Sequence, residues 1–568
     1  MRTRHRSPAV LLCLGLLMWG TAGCATGAGN ASVATPDVSA DDGSAHDAAH
    51  ASDTSTGEVN GPSDALSDGT TVNEAGGPID VATVLDQNSP SGDANSDSTS
   101  GADVLDVTIP SDGAVPALDV PIAADVQGPP PPLFDHAAIA DPKTAACAFS
   151  NFHTMVKNGV ALMVENVSYT SWESIDGVLV PIQIRGFYAR PALISALTPG
   201  VVQAHGLGGF AKEEHATGLA SLLGMAVIAY TGPGGGTEAD NTSEGTPSSA
   251  QNGYRMFDTL KDPRGSWFWG HAVAAMRAVT CLQTVPSVDA TKLGVTGFSA
   301  GGVISLIVAS VDPRIDAAVP MSGTGRWDVA TLSPAAWQHA LLTKAGLTTA
   351  SAEWTTLLAT VEPGALVQNA NVPILMVNGS SDEFFPLTAH VATYDAIPSA
   401  DKRTAIAANF DHGCYGLTGV ESKETIEERA KIHAEGGQRF WFRHWLTSDP
   451  TYATLPKAPT LTLANVGLLT AATAQVDGGG AAFEVEKVTV FWSSDDAFLW
   501  GNFDLDAGPA GTWSKVGPFN VTPNLITYVD VVYKTKGLAL FPERFALSSP
   551  PSIPAGLVPH IRTIDTCL

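Results

Sequence analysis

The chain has 568 residues, a formal net charge of −27 and 44% hydrophobic residues. This length exceeds what one simple hydrophobic core accommodates, so we expect two or more domains. An acidic surface has nothing with which to neutralise phosphates, which argues against nucleic acid as a partner.

The N-terminus has the pattern of a targeting segment over residues 1–23. The basic start MRTRHR is followed by the apolar run AVLLCLGLLMW and then by TAGC. This order is typical of an export signal, and the apolar run is too short for a transmembrane helix. It resembles a bacterial lipoprotein signal, which implies a lipid on Cys24 as the only membrane contact. Thr21 stands where such signals usually carry leucine, so ordinary signal-peptidase cleavage nearby stays an alternative.

If the protein is exported, we expect it in the bacterial cell envelope, lipid-anchored at the outer membrane or cell surface, or secreted from the cell. Residues 24–140 have the composition of a disordered tether, because residues 25–135 include 19 acidic residues and no lysine or arginine. Such a segment cannot bury enough apolar area to offset its conformational entropy. A flexible tether of this length would span roughly 60 Å, and the prolines at 129–132 predict a stiff end.

Between residues 141 and 450, short apolar runs alternate with helical stretches. The runs are nearly continuous, as expected for strands buried on both faces of a parallel sheet. The predicted strands are VVQA (201–204), MAVIAY (225–230), KLGVTGF (292–298), IDAAVPM (315–321), VPILMVN (372–378) and TAIAANF (404–410). The predicted helices are 213–223, 270–282, 302–310 and 422–446. The alternation predicts a doubly wound, mostly parallel α/β sheet with helices on both faces.

Two segments, 232–269 and 323–371, do not fit a minimal sheet of this kind. We expect them to be insertions over one end of the sheet that form a lid or a pocket wall. From 451 to 568, β-branched and aromatic runs are separated by Gly, Pro and Asp turns. This pattern predicts a small, sandwich-like all-β domain.

Four cysteines lie beyond the predicted signal and anchor: Cys147, Cys281, Cys414 and Cys567. In an oxidising compartment they could form two disulfides, with three possible connectivities. The sequence favours none of these pairings, and buried free thiols are the alternative.

The motif GFSAGG at residues 297–302 places Ser299 between an apolar strand and an apolar helix. In this context Gly-x-Ser-x-Gly is typical of a nucleophile elbow, a sharp turn that lifts the serine hydroxyl above the sheet edge. Gly297 and Gly301 would avoid collisions with the neighbouring strand and helix. The helix would point its first N–H groups at developing negative charge. A glycine-rich turn with an incidental serine is the alternative.

A serine nucleophile needs a base, and the base needs a group that orients it. In this topology the order along the chain is Ser, Asp, His. Asp382 follows one predicted strand and His412 follows the next, so loops would carry both towards Ser299.

Nearby carboxylates are weaker candidates for the acid. Glu383 is expected to point elsewhere, Asp395 lies further into a predicted helix, and Asp411 should diverge from its neighbour His412. Other histidines lie on helical stretches, where packing or solvation is the simpler expectation: His390, His433 and His444.

An oxyanion hole is expected where AHGLGGF (204–210) follows a strand. The predicted donors are the main-chain N–H groups of Leu207 and Ala300. His205 is expected to form local hydrogen bonds that shape this loop. The sequence contains no zinc-ligand spacing, phosphate loop or nucleotide fingerprint, so we predict no metal and no cofactor.

The set HGLGG, GFSAGG, GSSD and DHG, within residues 160–446, resembles the α/β-hydrolase superfamily. Its acetyl xylan esterase and prolyl-oligopeptidase branches are the most similar. The resemblance implies that Ser299 attacks an acyl carbonyl, His412 moves the proton, Asp382 holds the imidazole and water releases the acyl group. Ala300 departs from the Gln or Tyr that these branches often carry after the nucleophile.

Three functions are compatible with the sequence. The first is an exported serine esterase that cleaves carboxylic esters through an acyl-enzyme, with acetylated polysaccharide as one candidate substrate. The alternative is a serine peptidase or acylaminoacyl-type amidase with peptide substrates. A third hypothesis is a non-catalytic surface-binding protein on a hydrolase scaffold. The sequence sets neither the acyl and alcohol specificity nor the oligomeric state.

Overall fold

The computed structural model describes residues 132–194, 196–249, 255–334, 336–412, 421–494, 497, 499–537 and 542–558. The predicted export signal, the tether up to residue 131, Cys24, Cys414 and Cys567 lie outside these ranges. Among the described helices, none is both long and apolar enough to cross a bilayer.

Twelve α-helices lie in the described ranges, and several are single turns. They are α1 (His136–Ile139), α2 (Pro142–Ala145), α3 (Glu213–Leu223), α4 (Trp267–Thr284), α5 (Ala300–Val311), α6 (Trp327–Ala330), α7 (Trp337–Lys344), α8 (Ala352–Thr360), α9 (Pro363–Leu366), α10 (Leu387–Ala396), α11 (Lys423–Lys431) and α12 (Gly437–Leu446). A π-helical turn, Ile432–Gly436, joins α11 to α12.

Seventeen strands in the same ranges form two sheets. They are β1 (Ala148–Lys157), β2 (Val160–Ile175), β3 (Val178–Pro191), β4 (Thr198–Ala204), β5 (Ala226–Tyr230), β6 (Val288–Phe298), β7 (Ala317–Met321), β8 (Ile374–Gly379), β9 (Lys402–Ala407), β10 (Thr460–Val466), β11 (Leu469–Gln475), β12 (Phe483–Ser494), β13 (Gly501–Asp504), β14 (Asp506–Ala507), β15 (Thr512–Gly517), β16 (Leu525–Thr535) and β17 (Arg544–Ser548). The larger sheet has the order β1-β2-β3-β5-β4-β6-β7-β8-β9-β17-β16-β12-β13, and the smaller β10-β11-β15-β14.

The centre of the large sheet is parallel, from β5 through β4, β6, β7 and β8 to β9. Adjacent residues of β4 point into different cores. Val202 joins α4 and α5 in one cluster, while Val201 joins α3 and α12 in another. Burial on both faces explains the unbroken apolar runs of these strands. The predicted α/β-hydrolase fold class is confirmed, but the complete sheet is mixed rather than mostly parallel, because antiparallel strands flank this core on both sides.

Three long antiparallel strands, β1 to β3, precede the parallel core. The sequence patterns predict no strand before residue 201. In β2, buried side chains such as Leu162, Val164 and Tyr169 are separated by partly exposed ones. Leu162 and Val164 face the core of α3 and α12, whereas Tyr169 faces the core of α4 and α5, so β2 packs against one core and then the other. The partly exposed residues between them break up any continuous apolar run.

A disulfide joins Cys147, directly before β1, to Cys281 in α4. It closes a loop across 134 residues of sequence. The pairing belongs to one of the three connectivities that the sequence allowed, and it fastens the antiparallel edge to the helix layer of the parallel core.

The predicted C-terminal all-β region is present, and its strands divide between the two sheets. β17 pairs antiparallel with β16, and it meets β9 where Ser548 lies opposite Thr404. The main-chain N–H of Ile406 also donates to Ser548 Oγ over 2.8 Å. The large sheet therefore continues beyond β9, whose edge would otherwise carry unpaired backbone groups.

The start of α5 packs tightly against the end of β4. A Cβ atom on Gly301 would lie 2.2 Å from the carbonyl oxygen of Ala204. Either α5 or β4 must move to admit a methyl group, so Gly301→Ala should lower the free energy of unfolding by about 2–3 kcal/mol. Chemical denaturation measures this loss.

Gly218→Ala, within α3, is the matched control, because no atom lies within 4 Å of its added Cβ. We expect this variant to keep its stability or gain up to about 1 kcal/mol, since alanine favours helix over glycine. Equal stability of the two variants would show that the close approach at Gly301 is unimportant.

Candidate active site

Ser299 occupies the turn between β6 and α5 with φ 62° and ψ −125°. A positive φ costs a non-glycine residue on the order of 1–3 kcal/mol, and such strain is concentrated at active sites. Hydrogen bonds hold the turn: Ser299 N–H donates to the carbonyl of Met321 over 3.0 Å, and Gly302 N–H donates to the carbonyl of Ser299 over 2.8 Å. The backbone is thus fixed in the shape of a nucleophile elbow.

The structure brings the three predicted side chains together. Nε2 of His412 lies 2.8 Å from Oγ of Ser299, and Nδ1 lies 3.0 Å and 3.1 Å from the two carboxylate oxygens of Asp382. Ser299, Asp382 and His412 follow the carboxyl ends of β6, β8 and β9, and these ends meet at one edge of the parallel sheet. The contacts form a continuous line from carboxylate to imidazole to hydroxyl.

Asp382 is held by the chain that follows it. Its Oδ1 accepts hydrogen bonds from the main-chain N–H groups of Phe384, over 2.9 Å, and Phe385, over 2.8 Å. Because an ionised carboxylate only accepts, Nδ1 of His412 must be the donor in their contact. Nε2 is then left with a lone pair directed at the Ser299 hydroxyl, as a general base requires.

His412 lies in an acidic and aromatic environment. Burial lowers its pKa, but the charge of Asp382 and the hydrogen bond to it, followed by the charges of Glu383 and Asp411, raise the pKa above its usual value. The ring of Phe384 lies 4.4 Å from the imidazole, centroid to centroid. These surroundings favour the imidazolium that forms when the base accepts a proton.

Glu383 contributes to the site, so the expectation that it points elsewhere is wrong. Its Oε2 accepts a hydrogen bond of 3.0 Å from the main-chain N–H of His412. Burial, followed by the charge of Asp382, raises the pKa of Glu383 to about 7. The only sequence signal for this role was the presence of two consecutive carboxylates after a strand.

His205 shapes the loop after β4, as predicted. Its Nε2 accepts a hydrogen bond of 2.8 Å from Gly232 N–H, so the proton lies on Nδ1, which donates to the carbonyl of Gly206 over 2.7 Å. Burial lowers the pKa of His205 to about 4, which keeps this tautomer neutral. The loop is therefore tied to the segment that follows β5.

The two predicted oxyanion donors lie on segments that border Ser299. A Cβ on Gly206, the residue before Leu207, would be 3.7 Å from Oγ of Ser299. Ala300 is the first residue of α5, where main-chain N–H groups have no partner within the helix.

The insertion at 323–371 brings aromatic side chains to the site. It forms α6 to α9, and the indole of Trp337 stacks on Phe384 with centroids 5.7 Å apart. Phe384 in turn contacts His412. The insertion therefore contacts the imidazole of His412 indirectly, because Phe384 lies between Trp337 and that ring. By contrast, the aromatic run at the start of α4 is buried: Trp267, Phe268 and Trp269.

The other candidate histidines have partners away from Ser299. His390 is hydrogen-bonded to Thr404 Oγ1 and His433 to Asp530. Within the described ranges, no three His, Cys, Asp or Glu side chains are grouped so that they could hold a metal ion.

Residues 174–423 match the acetyl xylan esterase (AXE1) family. Similar solved structures include the acetyl xylan esterase from Paenibacillus sp. R4, with 19% identity and a TM-score of 0.41 over 49% of this chain and 86% of that chain. Acetyl xylan esterase 1 from Thermoanaerobacterium sp. JW/SL YS485 has 17% identity and a TM-score of 0.37 over 52% and 93%. Pyrococcus horikoshii acylaminoacyl peptidase has 13% identity and a TM-score of 0.36 over 53% and 57%. No curated protein sequence matches the chain.

Proposed function

We propose that this chain, whose residues 174–423 match the acetyl xylan esterase (AXE1) family, is a serine esterase acting through an acyl-enzyme. The observation that carries the proposal is the hydrogen-bonded line from Asp382 through His412 to Ser299, with the serine on a strained turn. The family match supports short acyl esters, and acetylated polysaccharide in particular, as the substrate class.

In the first half of the reaction, Oγ of Ser299 attacks the ester carbonyl carbon while its proton passes to Nε2 of His412. The main-chain N–H groups of Leu207 and Ala300 then stabilise the negative charge on the carbonyl oxygen. When the intermediate collapses, the bond to the alkoxy oxygen breaks, and the imidazolium returns its proton to the leaving alcohol. The acyl group stays on Ser299.

In the second half, His412 removes a proton from water as the water oxygen attacks the acyl-serine. Collapse breaks the bond to Oγ and returns the proton to Ser299, which releases the carboxylic acid. Throughout, the carboxylate of Asp382 holds the imidazole in the required tautomer and stabilises its charged form.

Parallel assays with p-nitrophenyl acetate, p-nitrophenyl octanoate and aminoacyl-p-nitroanilides test the proposal. We expect the acetate to have the highest kcat/KM, and a fluorophosphonate probe to label Ser299. Faster anilide cleavage would instead indicate a peptidase. Failure of the probe to label native protein would favour the non-catalytic scaffold.

We also propose that the protein is exported and lipidated on Cys24. The disulfide between Cys147 and Cys281 supports an oxidising compartment, because structural disulfides are rare in the cytosol. Mass spectrometry of the mature N-terminus tests this: a diacylglyceryl group on Cys24 agrees with the proposal, and an unprocessed Met1 contradicts it.

A further inference from the structure

Two consecutive carboxylates bind His412, one at its imidazole ring and the other at its main chain. Asp382 accepts from the imidazole Nδ1, and Glu383 accepts from the main-chain N–H of the same residue over 3.0 Å. Glu383 is 1% exposed, so this hydrogen bond is sheltered from water. One loop after β8 thus fixes both the ring and the backbone of the proposed base.

The loop after β9, which carries His412, is also hydrogen-bonded to the loop after β8 at positions before Glu383. Ser380 N–H donates to the carbonyl of Ala407 over 2.9 Å, and Ser381 N–H donates to the carbonyl of Phe410 over 3.1 Å. Asn409, between them, has a positive φ of 58°, so the chain turns sharply just before the base. Glu383 adds a further hydrogen bond to this loop, at the main-chain N–H of His412.

We propose that Glu383 is a positioning residue of the esterase: its carboxylate anchors the main chain of His412, and its charge supports the imidazolium formed in each half-reaction. This inference rests on the proposed function. It assigns a second carboxylate to a site in which only Asp382 was expected to act.

Three carboxylates face His412: Asp382 and Glu383 from the loop after β8, and Asp411 from the loop after β9. The charge of each raises the pKa of His412, against the effect of burial. Because burial and the charge of Asp382 raise the pKa of Glu383 to about 7, its charge acts on His412 above about that pH. Removing this charge should lower the pKa of His412. The acid limb of the pH profile of kcat/KM, which reports the protonation of the free base, should move to lower pH.

Two substitutions separate the effect of the Glu383 charge from the effect of its hydrogen bond to the main-chain N–H of His412. Glu383→Gln keeps an oxygen that can accept from His412 N–H but removes the charge. We expect its acid limb to move down by about one pH unit and its plateau kcat to stay within about fivefold of wild type. Glu383→Ala removes both functions, and misplacement of the base should lower kcat by about 30- to 100-fold with KM nearly unchanged. Glu214→Gln, on the exposed side of α3, is the control and should change neither quantity.

The titration of His412 gives a readout that does not require turnover. NMR of protein with ¹³C-labelled histidine, assigned by comparison with His412→Ala, should show a lower pKa in Glu383→Gln than in wild type. The proposal is overturned if this pKa is unchanged, or if Gln and Ala lower kcat equally with an unaltered pH profile. Absence of esterase turnover in wild type, with the NMR shift present, would contradict the proposed function and leave the positioning contact established.

Discussion

Ser299→Ala should lower kcat/KM for p-nitrophenyl acetate by about 10⁴- to 10⁶-fold, because it removes the hydroxyl that is proposed to take the acyl group. Oγ of Ser299 lies 2.8 Å from Nε2 of His412, so the substitution removes the atom that attacks. Folding should be preserved, since alanine is no larger than serine and the backbone bonds of the turn remain. Steady-state kinetics with a thermal unfolding curve measures both effects.

Ser310→Ala is the control for this prediction. Ser310 lies near the end of the same helix, α5, where its hydroxyl donates to the carbonyl of Leu306. Its loss should change kcat/KM by no more than about threefold, as expected away from the reacting atoms. If Ser299→Ala kept a tenth of the wild-type rate, Ser299 would not be the nucleophile.

Asp382→Asn should lower kcat/KM by about 10³- to 10⁴-fold with little change in KM. Oδ1 of Asp382 already accepts from the N–H groups of Phe384 and Phe385, so the amide oxygen should take this position. The amide NH₂ would then face Nδ1 of His412. The imidazole would have to accept there and carry its proton on Nε2, where it cannot act as a base towards Ser299.

Asp395→Asn makes the same chemical change on α10 and tests the alternative acid. We expect wild-type kinetics from this variant, with kcat/KM measured at the plateau of the pH profile. A large loss in Asp395→Asn together with normal rates in Asp382→Asn would reverse the assignment.

The sequence predicts the parallel core and the candidate catalytic residues from local signals. A strand buried on both faces is an unbroken apolar run, and the turn at Ser299 requires glycines where β4 and α5 approach closely. The chain order Ser, Asp, His then follows from the topology. Local patterns were therefore sufficient to place residues 299, 382 and 412 at one edge.

The features that the sequence did not predict depend on distant contacts. Glu383 could be assigned only once the backbone of His412 was known to lie against it. The pairing of Cys147 with Cys281 depends on how β1 packs near α4, and Trp337 reaches Phe384 only through the fold of an insertion. No periodicity within a short window encodes such contacts.

The position of β17 beside β9 affects how the site is assembled during synthesis. The strand that leads to His412 gains its outer neighbour only from residues 544–548, more than a hundred positions later. A nascent chain halted between them already contains Ser299, Asp382 and His412, yet β9 still has an open edge. Translation must therefore pass residue 548 before β9, the strand that leads to His412, has a neighbour on both sides. A late premature stop would remove the outer neighbour while leaving Ser299, Asp382 and His412 in the chain.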